Sequence, residues 1–190
     1  ELYSNEDYVH ALIAINRALA TRSDFAEALA FRAYTLLNLR SDETYSSRLE
    51  SSIRIAEEAL EFINQQLETG RNSGYLQYVA GTINYELGRS NNALLERQSK
   101  TLDEQAAVEF KEASEAWFEQ AELHLRSSIA LKYPDAYAYI YFADTLEHLG
   151  GGQGRNEAVA VYERGLESDP LHPRLNVLVQ IWFKYKPLHT

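Results

Sequence analysis

The sequence contains neither cysteine nor methionine, and only 4 of its 190 residues are proline. Without cysteine the chain can form no disulfide, no thiolate metal site and no thiol nucleophile. Because methionine is missing even at position 1, we expect the chain to be a segment of a longer protein. No apolar run is long enough to span a membrane and no signal peptide opens the sequence, so we expect no membrane insertion. The compartment stays open between cytoplasm and periplasm.

Positive charge is also scarce, since 18 Lys and Arg stand against 28 Asp and Glu and give a net charge of −10. Nucleic-acid binding rewards clustered Lys and Arg, so we expect no direct contact with nucleic acid. The negative charge suits solubility and a basic partner.

Long stretches of strong helix formers are present, such as ESSIRIAEEALEFINQQLETG at 50–70. Apolar residues recur at helical spacing along most of the chain, which predicts an all-α protein. The polar segment GRNSG at 70–74 predicts a break after a long helix over 43–68, and Gly88 is predicted to end the next helix. Whether residues 90–132 form one helix or two stays open.

Smaller signals mark the ends of other helices. Thr101 and Glu104 have the spacing of a capping box at the start of a helix over 102–132, and Pro134 is expected to end it. The segment GGGQGR at 150–155 lacks the strand, Lys and Ser or Thr of a phosphate-binding loop. It is predicted to be a flexible loop between two helices.

The segment YPDAYAYIYFADTLEHLGG at 133–151 places tyrosine at every second residue, as a strand would. Helical spacing nevertheless gives one coherent apolar stripe that contains Tyr139, Phe142 and Leu146. A second stripe contains Tyr137, Tyr141, Asp144 and His148. The segment is therefore predicted to be a helix, with Tyr139 facing inward and Tyr137 and Tyr141 facing out.

Two stretches of the chain, DYVHALIAINRALATRSDFAEALAFRAYTLLNL and GRNEAVAVYERGLESDPLHPRLNVLVQIWF, share a pattern. A small residue (Ala11, Ala158) is followed four residues later by a bulky one and three further on by another small one. With a period near 34 residues, this resembles the tetratricopeptide repeat (TPR) family. The likeness is good over 7–39 and 121–183 and partial over 75–94. The tryptophan usual near a repeat start is replaced by Leu29, Gln77 and Tyr139.

The resemblance implies a single domain over 1–190, built as an all-α solenoid of helical hairpins with two extended second helices. Its units would be an orphan second helix at 5–21, a repeat at 25–68, a repeat with an insertion at 75–132, a repeat at 135–168 and a capping helix at 173–186. The phrase ESDPLHPRLNVLVQIWF also resembles the end of TPR arrays attached to bacterial winged-helix regulators and adenylate cyclases.

Residues for chemistry are sparse. The five histidines show no paired spacing for zinc, and no Ser-His-Asp arrangement can be inferred without a fold that assembles it. We therefore expect no metal, no cofactor and no enzymatic activity.

In the TPR family the first helix of each hairpin lines a concave groove. The resemblance places on this face Tyr34, Tyr75, Tyr78, Thr82, Tyr85, Tyr137, Tyr141, Asp144 and His148. Tyrosine suits recognition because it offers a large rigid contact area and a hydroxyl at low entropy cost. The alternative is that these rings only pack between helices, with their hydroxyls reaching water.

The leading hypothesis is a protein-interaction scaffold that binds a peptide or a partner helix in a tyrosine-lined groove. The first alternative is a regulatory domain of a larger signalling protein, either a cyclase or a winged-helix transcription regulator. The second is a homo-oligomer formed through the long helices at 43–68 and 102–132. In the latter, Trp117 and Phe118 lie on adjacent faces, so one of them is expected to meet something beyond its own repeat.

Overall fold

The computed structural model describes residues 5–22, 25, 28, 31–32, 35, 45–70, 72–98 and 103–185. All regular secondary structure within these residues is helical, which confirms the all-α class. The helices whose bounds are described are α1 (Asn5–Thr21), α2 (Tyr45–Glu68), α3 (Gly74–Gln98), α4 (Glu104–Ala130), α5 (Ala136–Ser168) and α6 (Pro173–Tyr185). The tyrosine-rich segment lies in α5, so the choice of helix over strand is confirmed.

The break predicted after the long helix is confirmed, since α2 ends at Glu68. Gly70 follows with a φ of 86°, a backbone conformation that glycine adopts at no steric cost. The next helix then begins with a side-chain cap, in which the Ser73 hydroxyl accepts the N–H of Leu76 at 3.1 Å.

The prediction that Gly88 ends a helix is wrong, because α3 continues to Gln98. A Cβ at Gly88 would lie 3.0 Å from the ring of Phe118, and the hydroxyl of Ser114 donates to the Gly88 carbonyl at 2.9 Å. The glycine therefore serves close packing between two helices and does not stop the first one. Residues 90–132 form two helices, and the chain between them at 99–102 lies outside the described residues.

Helix α4 starts from a cap that was not predicted. The side chain of Asp103 accepts the N–H of Ala106 at 2.8 Å, whereas the predicted Thr101 lies outside the described residues. Asp is among the residues most favoured at this position because its oxygen satisfies an N–H that the helix leaves unpaired.

The turn after α4 sets the direction of the chain towards α5. Lys132 has a φ of 57°, and the N–H of Tyr133 donates to the carbonyl of Ser128 at 3.2 Å. A left-handed residue followed by a bond back to the last helical turn is a common helix ending, although glycine usually fills the position. The turn places Tyr133 beside Gly74, where a Cβ would lie 2.9 Å from that of Tyr133.

Helices α3 and α4 run antiparallel, because residues near the start of one meet residues near the end of the other. The hydroxyl of Ser128 donates to the Gly74 carbonyl at 2.8 Å. A Cβ at Gly81 would lie 2.5 Å from Cγ of Leu125, and Gly88 faces Phe118. Small residues thus recur along the contact line, where they let the two backbones approach closely.

The long helix α5 folds back on itself. Tyr139 and Gly165 are 26 positions apart, which a straight helix would separate by about 39 Å. Yet a Cβ at Gly165 would lie 2.9 Å from that of Tyr139. The chain therefore reverses within α5, and we call the part that contains Tyr139 its first arm and the part that contains Gly165 its second arm. The segment at 150–155, which was predicted to be a loop, is helical in backbone conformation.

The buried residues form two apolar clusters on either side of α3. The first joins α2 to α3 around Ile63 and Ile83, and Trp117 packs against it. The second joins α3, α4, α5 and α6 around Leu125, Ile140 and Leu175, and it includes Phe118. The adjacent rings of Trp117 and Phe118 therefore pack against different clusters of the same chain.

Candidate functional site

Six tyrosines from three parts of the chain lie close together. They come from α3, from the turn after α4 and from the first arm of α5. We call this set the tyrosine face, and it consists of Tyr75, Tyr78, Tyr85, Tyr133, Tyr137 and Tyr141. Each of its rings has another ring of the set within 6.5 Å between centroids.

Tyr133 joins the two tyrosines at the start of α3. Its ring lies 5.1 Å from that of Tyr78 in a stacked arrangement and 5.7 Å from that of Tyr75, edge to face. Phe31 continues the contacts on the far side of Tyr75, at 6.4 Å. Ring pairs in such geometries stabilise the fold by about 0.5–1.5 kcal/mol each, in addition to the stabilisation from burying their apolar area. Tyr133 was missed at the sequence level because it belongs to a turn, outside the stripes of any helix.

Tyr141 is the centre of the face. Its ring lies 5.3 Å from Tyr85, 6.3 Å from Tyr78 and 6.5 Å from Tyr137. The prediction that Tyr141 faces outward is wrong, because only 8% of the residue is exposed. The stripe that carries it on α5 is covered by α3, which sequence spacing within one helix could not reveal.

Two further residues assigned to the groove are also packing residues. Thr82 is buried and its hydroxyl donates to the carbonyl of Tyr78, within its own helix, at 2.9 Å. Tyr85 is buried against Phe118, with ring centroids 5.8 Å apart. Burial, helped by the negative charge of Asp144, raises the pKa of the Tyr85 hydroxyl far above its usual range.

Other residues of the predicted groove reach solvent. Tyr137 is 37% exposed and its ring meets the edge of His172 at 5.2 Å. Tyr75 and Tyr78 are half-buried. Tyr139, predicted to face inward, is half-buried and packs against the second cluster. Tyr34 lies outside the described residues. The tyrosine face thus has a buried centre at Tyr141 and accessible edges.

His148 lies at one edge and stacks on Phe118, with the rings 4.3 Å apart and 7° from parallel. Burial of the ring lowers the pKa of His148, which the nearby Asp144 opposes and the nearby Arg89 reinforces.

Asp144 ties the two arms of α5 to α6. Its carboxylate accepts a hydrogen bond from the hydroxyl of Tyr162 and lies 3.8 Å from the guanidinium of Arg174. The same hydroxyl lies 3.2 Å from Oε1 of Glu147. Burial raises the pKa of Asp144, while Tyr162 and Arg174 act to lower it. This network was not predicted, because its partners are up to 30 positions apart.

Arg89 lies in α3 beside Tyr85. Its guanidinium lies 5.7 Å from the centre of the Tyr85 ring and 3.4 Å from Glu86. Arg89 was not predicted to lie in the groove, because it follows the predicted end of the helix at Gly88. It is brought to the face only because α3 continues.

His124 lies apart from the face, between α3 and α4. It is half-buried, and its Nδ1 lies 2.7 Å from Oε1 of Gln77. Burial lowers the pKa of His124.

Because the folded state holds His124 at a lowered pKa, its contribution to stability is present above the unfolded pKa and is lost as the pH falls through that value towards the folded one. We expect the free energy of unfolding to depend less on pH between 7.5 and 5 in His124→Gln than in the wild type. The slope of the free energy of unfolding against pH should differ between the two proteins by at most the effect of one proton, about 1.4 kcal/mol per pH unit. Urea denaturation at several pH values measures it, and equal slopes would contradict the assignment.

Within the residues that the structure covers, no group of three or more His, Asp or Glu side chains is placed to hold a metal ion. None of the described helices is both long and apolar enough to cross a membrane.

The arrangement leaves the ring of Tyr137 accessible beside the buried ring of Tyr141. Comparison with family models and with curated protein sequences gave no match for this chain.

Proposed function

We propose that the chain is a protein-interaction module, without catalytic activity of its own, that docks a peptide or a helix of a partner on the tyrosine face. The observation that carries the proposal is the continuous set of aromatic contacts from Tyr75 to Tyr137, which crosses from α3 to α5 and leaves its edges accessible. Rigid aromatic surfaces of this kind supply contact area at a low cost in side-chain entropy.

The proposed architecture is a TPR-like solenoid, in which α3 with α4 and the two arms of α5 are successive hairpins and α6 is the capping helix. Three observations support it: the antiparallel pairing within each hairpin, the glycines at the close contacts, and the contacts of α3 with both α4 and α5. In such an arrangement α3 and the first arm of α5 would be neighbouring first helices. The tyrosine face would then lie on the concave side.

The test starts from a library of linear peptides displayed on phage and selected against the wild-type protein. The binding variant is the double substitution Tyr75→Ser and Tyr137→Ser, at the two ends of the face. The matched control is Val108→Ser and Leu123→Ser, which removes two exposed apolar side chains from α4. Circular dichroism establishes that both variants keep their helical content.

We expect selected peptides to bind the wild type and the control with equal affinity, and the binding variant at least about tenfold more weakly, since each lost aromatic contact is worth about 0.5–1.5 kcal/mol. Peptides that bind the tyrosine variant as tightly as the wild type would show that the docking surface lies elsewhere.

A further inference from the structure

We infer that His172 is a pH-sensitive cap, which holds the first turn of α6 while its ring is neutral and releases that turn when the ring takes up a proton. The inference goes beyond the proposed function and does not depend on it. It is argued from the hydrogen bonds at the start of α6, from the proton chemistry of imidazole, and from the contact of the same ring with Tyr137.

His172 occupies the N-cap position of α6. The helix begins at Pro173, and proline is favoured at the first helical position because an N–H there would have no partner within the helix. The carbonyl of His172 accepts the first intrahelical bond, from the N–H of Asn176 at 3.1 Å. Its Nδ1 accepts the N–H of Leu175 at 3.3 Å. A side-chain acceptor at this position satisfies an N–H that the helix itself leaves unpaired.

The bond to Leu175 fixes the state of the imidazole ring. A ring nitrogen accepts a hydrogen bond only while it carries no proton, so the neutral ring must have its proton on Nε2. In the protonated ring both nitrogens are donors, and Nδ1–H would then face the N–H of Leu175. The positive end of the α6 helix dipole also disfavours a cation at this place. Proton uptake by His172 therefore breaks the cap.

The charged groups around His172 come from both ends of α5 and from α6. Asp135 caps the start of α5, and Asp169 follows its end, where its carbonyl accepts the N–H of His172 at 3.1 Å. Their negative charges favour proton uptake, whereas the positive charge of Arg174 opposes it. Arg174 is itself 3.8 Å from Asp144. Histidine is the side chain that changes charge between pH 5 and 8, so the two states of the cap are compared at these limits.

The same ring connects the cap to the tyrosine face. It meets the ring of Tyr137 edge to face, with the centroids 5.2 Å apart and the planes at 88°. His172 is half-buried in this position. The imidazole thus contacts two groups at once, the first turn of α6 through Nδ1 and the accessible ring of the tyrosine face. A change in the charge of His172 should be detected at both.

NMR spectroscopy of the isotope-labelled chain tests the inference at pH 8 and pH 5. We expect the protection of the Leu175 amide against solvent exchange, corrected for the intrinsic effect of pH, to be about fivefold lower at pH 5, the effect of losing a typical cap. The Leu76 amide is the matched control, because the Ser73 hydroxyl that caps it at 3.1 Å does not titrate. Its protection should not change. The ring signals of Tyr137 should shift together with those of His172.

Three variants separate the titration of the ring from its packing. His172→Asn supplies a capping side chain that does not titrate, so the Leu175 amide should be equally protected at pH 8 and pH 5. His172→Ala removes the cap, so protection should be low at both. The control variant is His10→Asn, at an exposed histidine of α1, which should keep the wild-type dependence on pH.

Equal protection of the Leu175 amide at pH 8 and pH 5 in the wild type would overturn the inference, whether the ring of His172 titrates or stays neutral. A decrease that persists in His172→Asn would also overturn it, because another group would then be responsible. A parallel decrease at Leu76 would mean a general loosening of the fold in acid and would contradict a local cap. If the ring signals of Tyr137 stay constant while Leu175 responds, the connection to the tyrosine face is wrong.

Discussion

Replacing Tyr141 by alanine will remove about 3–5 kcal/mol from the free energy of unfolding, the usual cost of truncating a large buried aromatic side chain. The residue is 8% exposed and its ring contacts those of Tyr78, Tyr85 and Tyr137. Its removal leaves a cavity between α3 and α5 that rigid neighbouring rings cannot fill. Urea denaturation followed by circular dichroism measures the loss.

Two controls separate packing from surface chemistry. Tyr141→Phe keeps the ring and should stay within about 1.5 kcal/mol of the wild type, as volume-conserving exchanges do. Tyr137→Ala removes a ring that is 37% exposed and should cost clearly less than Tyr141→Ala. Equal costs for Tyr137→Ala and Tyr141→Ala would contradict the distinction between a buried centre and accessible edges. It follows that binding tests on this face should use Tyr137, since loss of binding in Tyr141→Ala would report unfolding.

Adding a single methyl group at Gly81 will also be destabilising, by up to about 2 kcal/mol. A Cβ there would lie 2.5 Å from Cγ and 3.1 Å from the backbone nitrogen of Leu125. Relieving this overlap requires the two helices to separate, which costs about 1–3 kcal/mol or more. Alanine's better helix propensity returns about 1 kcal/mol and does not outweigh the clash. The thermal midpoint of Gly81→Ala should fall by several degrees.

The matched control is Gly150→Ala, the same chemical change at a helical glycine whose added Cβ would meet nothing within 4 Å. It should be neutral or more stable by up to about 1 kcal/mol. The cost of Gly81→Ala should also depend on its neighbour Leu125. The single substitution Leu125→Ala should lower the free energy of unfolding by about 2–5 kcal/mol. The double variant Gly81→Ala and Leu125→Ala should lose less than the sum of the two single losses. Strict additivity would mean that the two residues are not in contact.

The positions of most helices follow from local rules that the sequence displays. The helix formers at 50–70, the polar segment at 70–74 and Pro134 each predicted a helix or its end, and the structure confirms them. The opposite outcome at Gly88 has a specific cause. Glycine weakens a helix, but it also permits contact with Phe118, and only the partner helix determines which of these effects dominates.

By itself the sequence determined that the chain is helical, where its long apolar stripes run, and that Tyr137, Tyr139 and Tyr141 lie in one helix. Those properties depend on neighbours within four residues, which spacing reveals. Only the tertiary structure decided that α5 folds back, that Tyr133 joins the tyrosine face, and that Tyr141 is buried while Tyr137 is accessible. The reason is that the exposure of a side chain depends on what covers its helix face, and the covering residues of α3 lie more than 50 positions away in the chain.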